Sequence, residues 1–501
     1  MIPPLLAIFA WPLVSIAFFR RLRLPLAILV TVIGGYLLLP ENTAFDLPLL
    51  PSLGKHTVPA LVALGLAAIF AGNGRGGDGL PGVLPGHWIA RLLIVMIAVG
   101  AAMTALTNPD MLFYGATVLP AIRPYDAGSN VLGAIMMLLP LLVARRYLAG
   151  PDAHVLLLRV LCIAAVGYAF LALFEVRMSP QLNRWVYGFF PHSWAQHVRG
   201  GAFRPVIFLA HGLLVGIFLS GAVLAAIGLA RIQSERRSKF LLTALWLGLA
   251  LMLSKNLGAV FITVMLLPVA LFLPPRGQLI AAASIAGLFL LYPVARSADI
   301  LPIARVVTLA QDIDPERAAS FITRLENEDR MLAKSTERPL FGWGGWGRSR
   351  VYDETGRDIT IADGAWVITI GVDGWVGYVG RYGLLVLPIF LLLFHKNRYR
   401  IGLETSVLTL ILAGNLIDMV PNSSNTPLTW LIAGVLWGRL ELGSAVSEEH
   451  GVVGAPKPRA GYRRKIPARE PPVAPEAATL PPRPAYSRQV TRTRHTRPTA
   501  K

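Results

Sequence analysis

The sequence predicts an all-α, polytopic membrane helix bundle, and three observations carry that expectation. Of 501 residues, 54% are apolar and only 15% charged, whereas soluble domains carry roughly 25% charge. Mean hydropathy is +0.57. The apolar residues come in runs of about 16–20, the length that crosses the hydrocarbon core of a bilayer. Together these exclude a soluble globular enzyme and a disordered chain. Cys162 is the only cysteine, which excludes an intrachain disulfide and a thiolate metal cluster.

Thirteen spanning helices are expected. Their cores lie near 2–19, 24–39, 57–72, 88–106, 127–144, 155–174, 205–230, 239–253, 257–273, 277–293, 377–394, 404–420 and 427–440. The first lacks a basic n-region and a small-residue cleavage site, so it reads as an uncleaved helix rather than a signal peptide. The eighth and ninth are split only by Ser254-Lys255-Asn256.

Loop charge sets the expected orientation. One alternate set of loops holds Arg20, Arg21 and Arg23, then Arg75, Arg145 and Arg146, Arg231 to Lys239, Arg276, and Lys396 to Arg400. This set is assigned to the cytoplasm. The other set, 40–56, 107–126, 175–204, 254–256, 294–376 and 418–426, then faces the periplasm of a bacterium, with the N-terminus on that side. Residues 1–442 form the bundle in this reading, including periplasmic loops 175–204 and 296–376. The second loop carries its own amphipathic helix, Pro315 to Thr336, with Phe321, Ile322, Leu325 and Leu332 at helical spacing. Residues 443–501 are rich in Pro, Ala and Arg and are expected to be a disordered cytoplasmic tail. From Gly451 to Lys501 there are 12 bases and 2 acids, a net +10 of the chain's +19. The basic excess therefore belongs mainly to the tail, and no nucleic-acid partner is expected.

Candidate chemistry lies in the two long loops. The first carries Arg177, Arg184, Arg199 and Arg204 against one acid, Glu175, and the second carries nine arginines and one lysine. Guanidinium groups grip phosphate oxygens in bidentate fashion and stay charged. Arginine is also this chain's default base, since only 8 of its 47 bases are lysine, so many of these are simply solvated or paired. Arg199 and Arg204 stand at the mouth of the seventh helix. Pro205 suits a helix start, and Arg204 before it would meet the helix's positive end, where a shared anion is welcome. His211 falls about two turns inside, where an ionisable side chain is either functional or bonded to a neighbouring helix.

The second loop continues through Arg324, Arg330 and Arg338 to Pro-Leu-Phe-Gly-Trp343-Gly-Gly-Trp346-Gly-Arg348. This is no P-loop, because no Gly-Lys-Ser/Thr follows. Its tryptophans either stack on sugar rings or anchor at the membrane interface. Ile361-Ala-Asp363-Gly-Ala-Trp366 then leads into the eleventh helix. Asp363 is either a proton acceptor for a hydroxyl or a cap residue. Asp312-Ile-Asp314 reads as a helix cap rather than a metal pair. There is no His-Glu-x-x-His, no Gly-x-Ser-x-Gly and no Cys/His metal spacing. Sparse intramembrane acids argue against an ion-coupled transporter.

The stretches Arg199–His211 and Arg324–Gly377 resemble the bacterial O-antigen ligase and polysaccharide polymerase superfamily, with the likeness spanning roughly Asp126 to Arg439. The resemblance implies an inverting, metal-independent membrane glycosyltransferase of the inner membrane that needs no cofactor. Its donor would be a polyprenyl-diphosphate-linked oligosaccharide. Its acceptor would be a hydroxyl on a growing glycan, a lipid A core or another molecule, in O-antigen or exopolysaccharide synthesis. By position, Arg199, Arg204, Arg324, Arg330 and Arg338 would hold the diphosphate. Asp363 and His211 would be catalytic, and Trp343, Trp346 and Trp366 would stack on glycan. The family commonly has a histidine where this chain has Asp363, and thirteen helices exceed its usual twelve. Membrane lipids and envelope polysaccharide assembly proteins are the other expected partners. Two further readings remain: a lipid-linked glycan flippase or exporter, and a non-catalytic subunit of an envelope complex working through its tail.

Overall fold

The computed structural model describes residues 1–47, 50–71, 79–199, 201–298, 300, 302–313 and 315–452. Arg75, Asp314 and residues 453–501 lie outside them. The fold is helical: α1 (Pro4–Arg21), α2 (Leu24–Leu38), α3 (Val58–Ala71), α4 (Trp88–Leu106), α5 (Asp126–Tyr147), α6 (Pro151–Met178), α7 (Leu182–Tyr187), α8 (Gly212–Ile232), α9 (Arg237–Leu253), α10 (Leu257–Phe272), α11 (Pro275–Ser297), α12 (Ile303–Ile313), α13 (Pro315–Thr336), α14 (Ala365–Phe394), α15 (Lys396–Tyr399), α16 (Leu403–Asp418) and α17 (Pro427–Val452). Strands occur as two-stranded antiparallel hairpins in the loops: β1 (Ala44–Phe45) with β2 (Leu53–Gly54), β3 (Leu112–Tyr114) with β4 (Thr117–Leu119), and β5 (Val198–Arg199) with β6 (Ala202–Phe203).

Among the described residues, seven helices are long and apolar enough to cross a membrane: α1, α4, α5, α6, α8, α11 and α14. Helices α2, α3 and α10 are apolar but shorter. Prolines open α1, α2, α6 and α11, where a missing N–H leaves no bond unmade. Arg20 and Arg21, and Arg145 and Arg146, sit in the last turns of α1 and α5, at the negative helix ends. Helices α8 and α16 are buried over most of their circumference. By contrast α9, α10 and α11 expose Leu245, Phe261 and Leu288. Apolar side chains both inside and outside are the pattern of helices solvated by lipid. The chain is a multi-pass, membrane-embedded helical protein.

Small residues set the closest helix contact. A Cβ on Gly434 of α17 would fall 2.2 Å from the Leu141 carbonyl oxygen of α5, and one on Gly438 would fall 2.5 Å from that of Arg145. Such small-xxx-small spacing lets two backbones meet where no water drives them together.

Segments distant in sequence are tied together at the two ends of the helices. At one end, Asn42 donates to the Pro191 carbonyl at 2.6 Å and Lys55 donates to that of Phe208. There too, Asn108 donates to the Gly342 carbonyl at 3.0 Å, and the Ala365 amide donates to that of Met419 at 3.0 Å. At the other, Arg145 Nε and the Gly86 amide both donate to Glu441, at 2.9 and 2.8 Å. Arg231 donates to the Leu273 carbonyl at 2.8 Å.

Three expectations are corrected. The seventh helix starts at Gly212, not near 205. Residues 205–211 form a buried non-helical segment, because the Glu175 carboxylate accepts from the amides of Val206 (2.8 Å) and Ile207 (2.7 Å). The eleventh helix begins at Ala365, twelve residues before 377, and is broken at Gly374. The last helix runs on to Val452, ten residues beyond 442.

Candidate functional site

A cleft of about 290 Å³ opens between α13 and the ends of α11, α14 and α16. Arg324, Leu325, Glu328 and Met331 of α13 line it, together with Tyr292, Asp363 and Val367. Arg324 and Glu328 are four residues apart and share a helix face. Leu325 and Met331 are buried and anchor α13 over the bundle. The side-chain Oδ1 of Asn327 accepts from the Ile361 amide at 3.0 Å, which pins the segment carrying Asp363 against α13. Arg324 Nε then lies 3.4 Å from Asp363 Oδ2, with the two side chains 44% and 39% exposed. The pair is open enough to exchange partners with a ligand.

Glu328 accepts from the Tyr292 hydroxyl at 3.2 Å. Burial pushes its carboxyl up to about 7, with the neighbouring Asp329 adding to the rise, while Tyr292, Arg296 and Arg324 oppose it. Arg296 itself is paired with Asp329 at 2.5 Å. The cleft thus combines an apolar floor, a half-exposed guanidinium and a carboxyl whose proton comes and goes near neutrality. That set can bind an anionic group and accept a proton beside it.

The Gly/Trp run has a structural task. Helix α14 is interrupted at Gly374, whose φ is +67°. Backbone from 339–344 fills the break. The amides of Trp343 and Gly344 donate to the carbonyls of Gly371 (2.8 Å) and Val372 (2.9 Å), while those of Trp375 and Val376 donate to Pro339 (2.8 Å) and Leu340 (3.1 Å). These four bonds stand in at the break for helical ones, as irregular backbone at a membrane helix requires. A Cβ on Gly374 would fall 2.3 Å from the Leu340 oxygen, so only glycine permits this approach.

The remaining expected residues scatter. Arg338 does not line the cleft; it makes a two-pronged bond to Asp110 (3.0 Å to each oxygen), donates to Asn108 at 2.8 Å and to the Thr107 carbonyl, and stacks 4.3 Å over Trp343. Its two terminal nitrogens are thus bonded to protein groups. Arg330 points to Glu326 at 3.9 Å, both exposed, and also lies off the cleft. Arg204 Nη2 is 3.4 Å from the Lys255 carbonyl, in the α9–α10 turn, and is not part of the cleft either. Arg199 lies on β5, and its side chain falls outside the described residues.

The tryptophans divide in the same way. Trp366 is fully buried and packs edge-on against Tyr292. Trp343 is 5% exposed, with Lys334 stacked 3.8 Å from its ring centre. Both rings are covered by protein, whereas Trp346 is 63% exposed. His211 caps α8, its Nδ1 accepting from the Leu213 amide at 3.0 Å, instead of lying two turns inside. Its ring meets those of His192 and His197.

Sequence reasoning passed over Glu328 and Arg348. Glu328 was legible only as one acid in an acidic stretch. Arg348 is fully buried, donating to the carbonyls of Asp110 and Pro120 at 2.8 Å each and to that of Trp343 at 3.2 Å. It holds the β3–β4 segment against the Gly/Trp loop. No protein-family model matches the chain, and no curated protein matches it in sequence.

Proposed function

We propose that the protein is a membrane glycosyltransferase of the O-antigen ligase or polysaccharide polymerase type, working on the periplasmic face of a bacterial inner membrane. The observation that carries this reading is the cleft in which Arg324, Asp363 and Glu328 meet over an apolar floor. In it, thirteen helices span the membrane, the N-terminus is periplasmic and the basic tail cytoplasmic. The donor is a glycan on polyprenyl diphosphate. Arg324 turns from Asp363 to bind the diphosphate. An acceptor hydroxyl attacks the anomeric carbon from the far side. The carbon–oxygen bond to the diphosphate breaks, the hydroxyl proton passes to the ionised Glu328 carboxylate, and the lipid diphosphate departs with the bond's electron pair. A diphosphate is already a good leaving group, so fixed charge and positioning supply most of what is needed. The cleft's lining lies near one end of the bundle, which favours one-sided chemistry over export.

Glycolipid profiling of a deletion strain tests the reading. Accumulated single repeat units on polyprenyl diphosphate indicate a polymerase, and accumulated long chains a ligase. A normal lipid-linked pool with normal surface polysaccharide overturns both.

A further inference from the structure

We propose that His192, His197 and His211 form a binding site for a divalent transition metal, of the kind zinc occupies, at the head of α8. The proposal goes beyond the transferase reading and does not depend on it. The three histidines lie within twenty residues of sequence. A loop supplies His192, a 3-10 turn supplies His197 and the N-cap of α8 supplies His211. One ring nitrogen from each lies within 4.8 Å of the others. Their ring centroids are 4.7 Å (His197 to His211), 4.8 Å (His192 to His211) and 5.6 Å (His192 to His197) apart. Three imidazoles with one position left for water form a familiar zinc donor set.

The surroundings prepare the site. His197 Nδ1 is 3.0 Å from the Ser193 carbonyl. A carbonyl only accepts, so Nδ1 carries the proton and Nε2 presents its lone pair. That is how a backbone group fixes the tautomer of a metal-ligating histidine. His197 is buried, with Phe190 packed on its ring and Trp194 packed on Phe190, so a charge there is weakly screened. His192 is exposed, leaving a route from solvent. The nearby cation Arg204 is engaged at the Lys255 carbonyl. His211 must turn from its cap contact with Leu213 to ligate, giving up one hydrogen bond. The ligands bracket the β5–β6 hairpin, so a bound ion would fasten the loop that carries Arg199 and Arg204 onto α8.

The test uses the full chain, purified in detergent without a polyhistidine tag, stripped with chelator and titrated with Zn²⁺ and with Co²⁺. One equivalent of zinc per chain is expected, with the intense visible absorption of a tetrahedral Co²⁺ site. His192→Gln and His197→Gln should each weaken zinc binding roughly 10-fold or more. Exposed His192 is the informative position should His197→Gln fail to fold. Zinc content well below one per chain overturns the proposal, as does wild-type affinity in His192→Gln or in the triple glutamine variant.

Discussion

Arg324 Nε stands 3.4 Å from Asp363 Oδ2, across a cleft edge where both side chains remain more than a third exposed. The pair joins a helix of the large loop to the segment that begins α14. So open an ion pair adds little stability, about 0–1 kcal/mol. In the proposed reading its value lies in presenting a guanidinium that a phosphate can capture. Arg324→Ala should therefore leave the protein folded and inserted, yet lower glycan transfer by about 10²–10³-fold, the usual loss of one transition-state donor. Quantifying surface polymer against membrane-inserted protein checks this; full-length polymer at normal yield would remove Arg324 from the site.

Glu328→Gln separates proton transfer from binding. With its carboxyl near 7, transfer by the wild type should rise with pH through about 7 as the base form appears. The variant should lose that limb and fall by about 10²–10⁴-fold. A pH profile of transfer by the purified protein decides it, and an unchanged limb in the variant counts against Glu328.

The same residue makes a stability prediction of defined sign. Its folded value, about 7, lies above the ordinary 4.5, so the fold prefers the protonated form. The stability this contributes is complete below about 4.5 and is lost as pH rises through about 7, on the order of 3 kcal/mol in all. Thermal unfolding in detergent at pH 5 and pH 8 should show wild type losing more than Glu328→Gln between the two. Parallel curves would mean the carboxyl titrates as an ordinary glutamate.

Arg348 and Arg338 should behave as structural residues of unequal weight. Arg348→Ala strips a fully buried cation from three carbonyls, a change of about 3–5 kcal/mol. Arg338→Ala, at a quarter-exposed site, should cost about 1–2 kcal/mol. Chemical or thermal unfolding gives the order, which reverses if Arg338 is the principal tie.

Gly374→Ala should open the seam between the Gly/Trp loop and α14. The new methyl meets the Leu340 backbone at a positive φ, and strain plus clash should cost about 2–4 kcal/mol. Limited proteolysis between Arg338 and Arg348 should rise well before global unfolding. Unaltered cleavage would show that the loop is held by its side chains alone.

Sidedness is checked by single cysteines. Trp346 and Arg237 are exposed, and Cys162 is buried and silent. In intact cells with a permeabilised outer membrane, an impermeant maleimide should label Trp346→Cys and leave Arg237→Cys unlabelled. The opposite pattern would place the cleft on the cytoplasmic face.

Periodicity and composition alone revealed the helical, membrane-embedded character of the chain, because a run of apolar residues has few other stable solutions in a bilayer. The α13 boundaries, Pro315 to Thr336, were legible for the same kind of reason: a proline opens the helix and Pro339 with Gly342 stops the chain beyond it. Asp363 was visible as a candidate because it precedes a helix, and Arg324 because the large loop is rich in arginine. Their meeting was not visible, since 39 residues of chain separate them and tertiary contacts such as that of Asn327 with Ile361 bring the two segments together. The same limit hid the break in α14, whose missing bonds are supplied by a loop thirty residues earlier in the chain. It also hid the start of α8 at Gly212, where one carboxylate from α6 captures amides that would otherwise have joined the helix. Local sequence fixes which segments are apolar and where a helix can begin. Whether an arginine faces a cleft or is consumed by distant carbonyls depends on long-range partners, and those exist only once the bundle has closed.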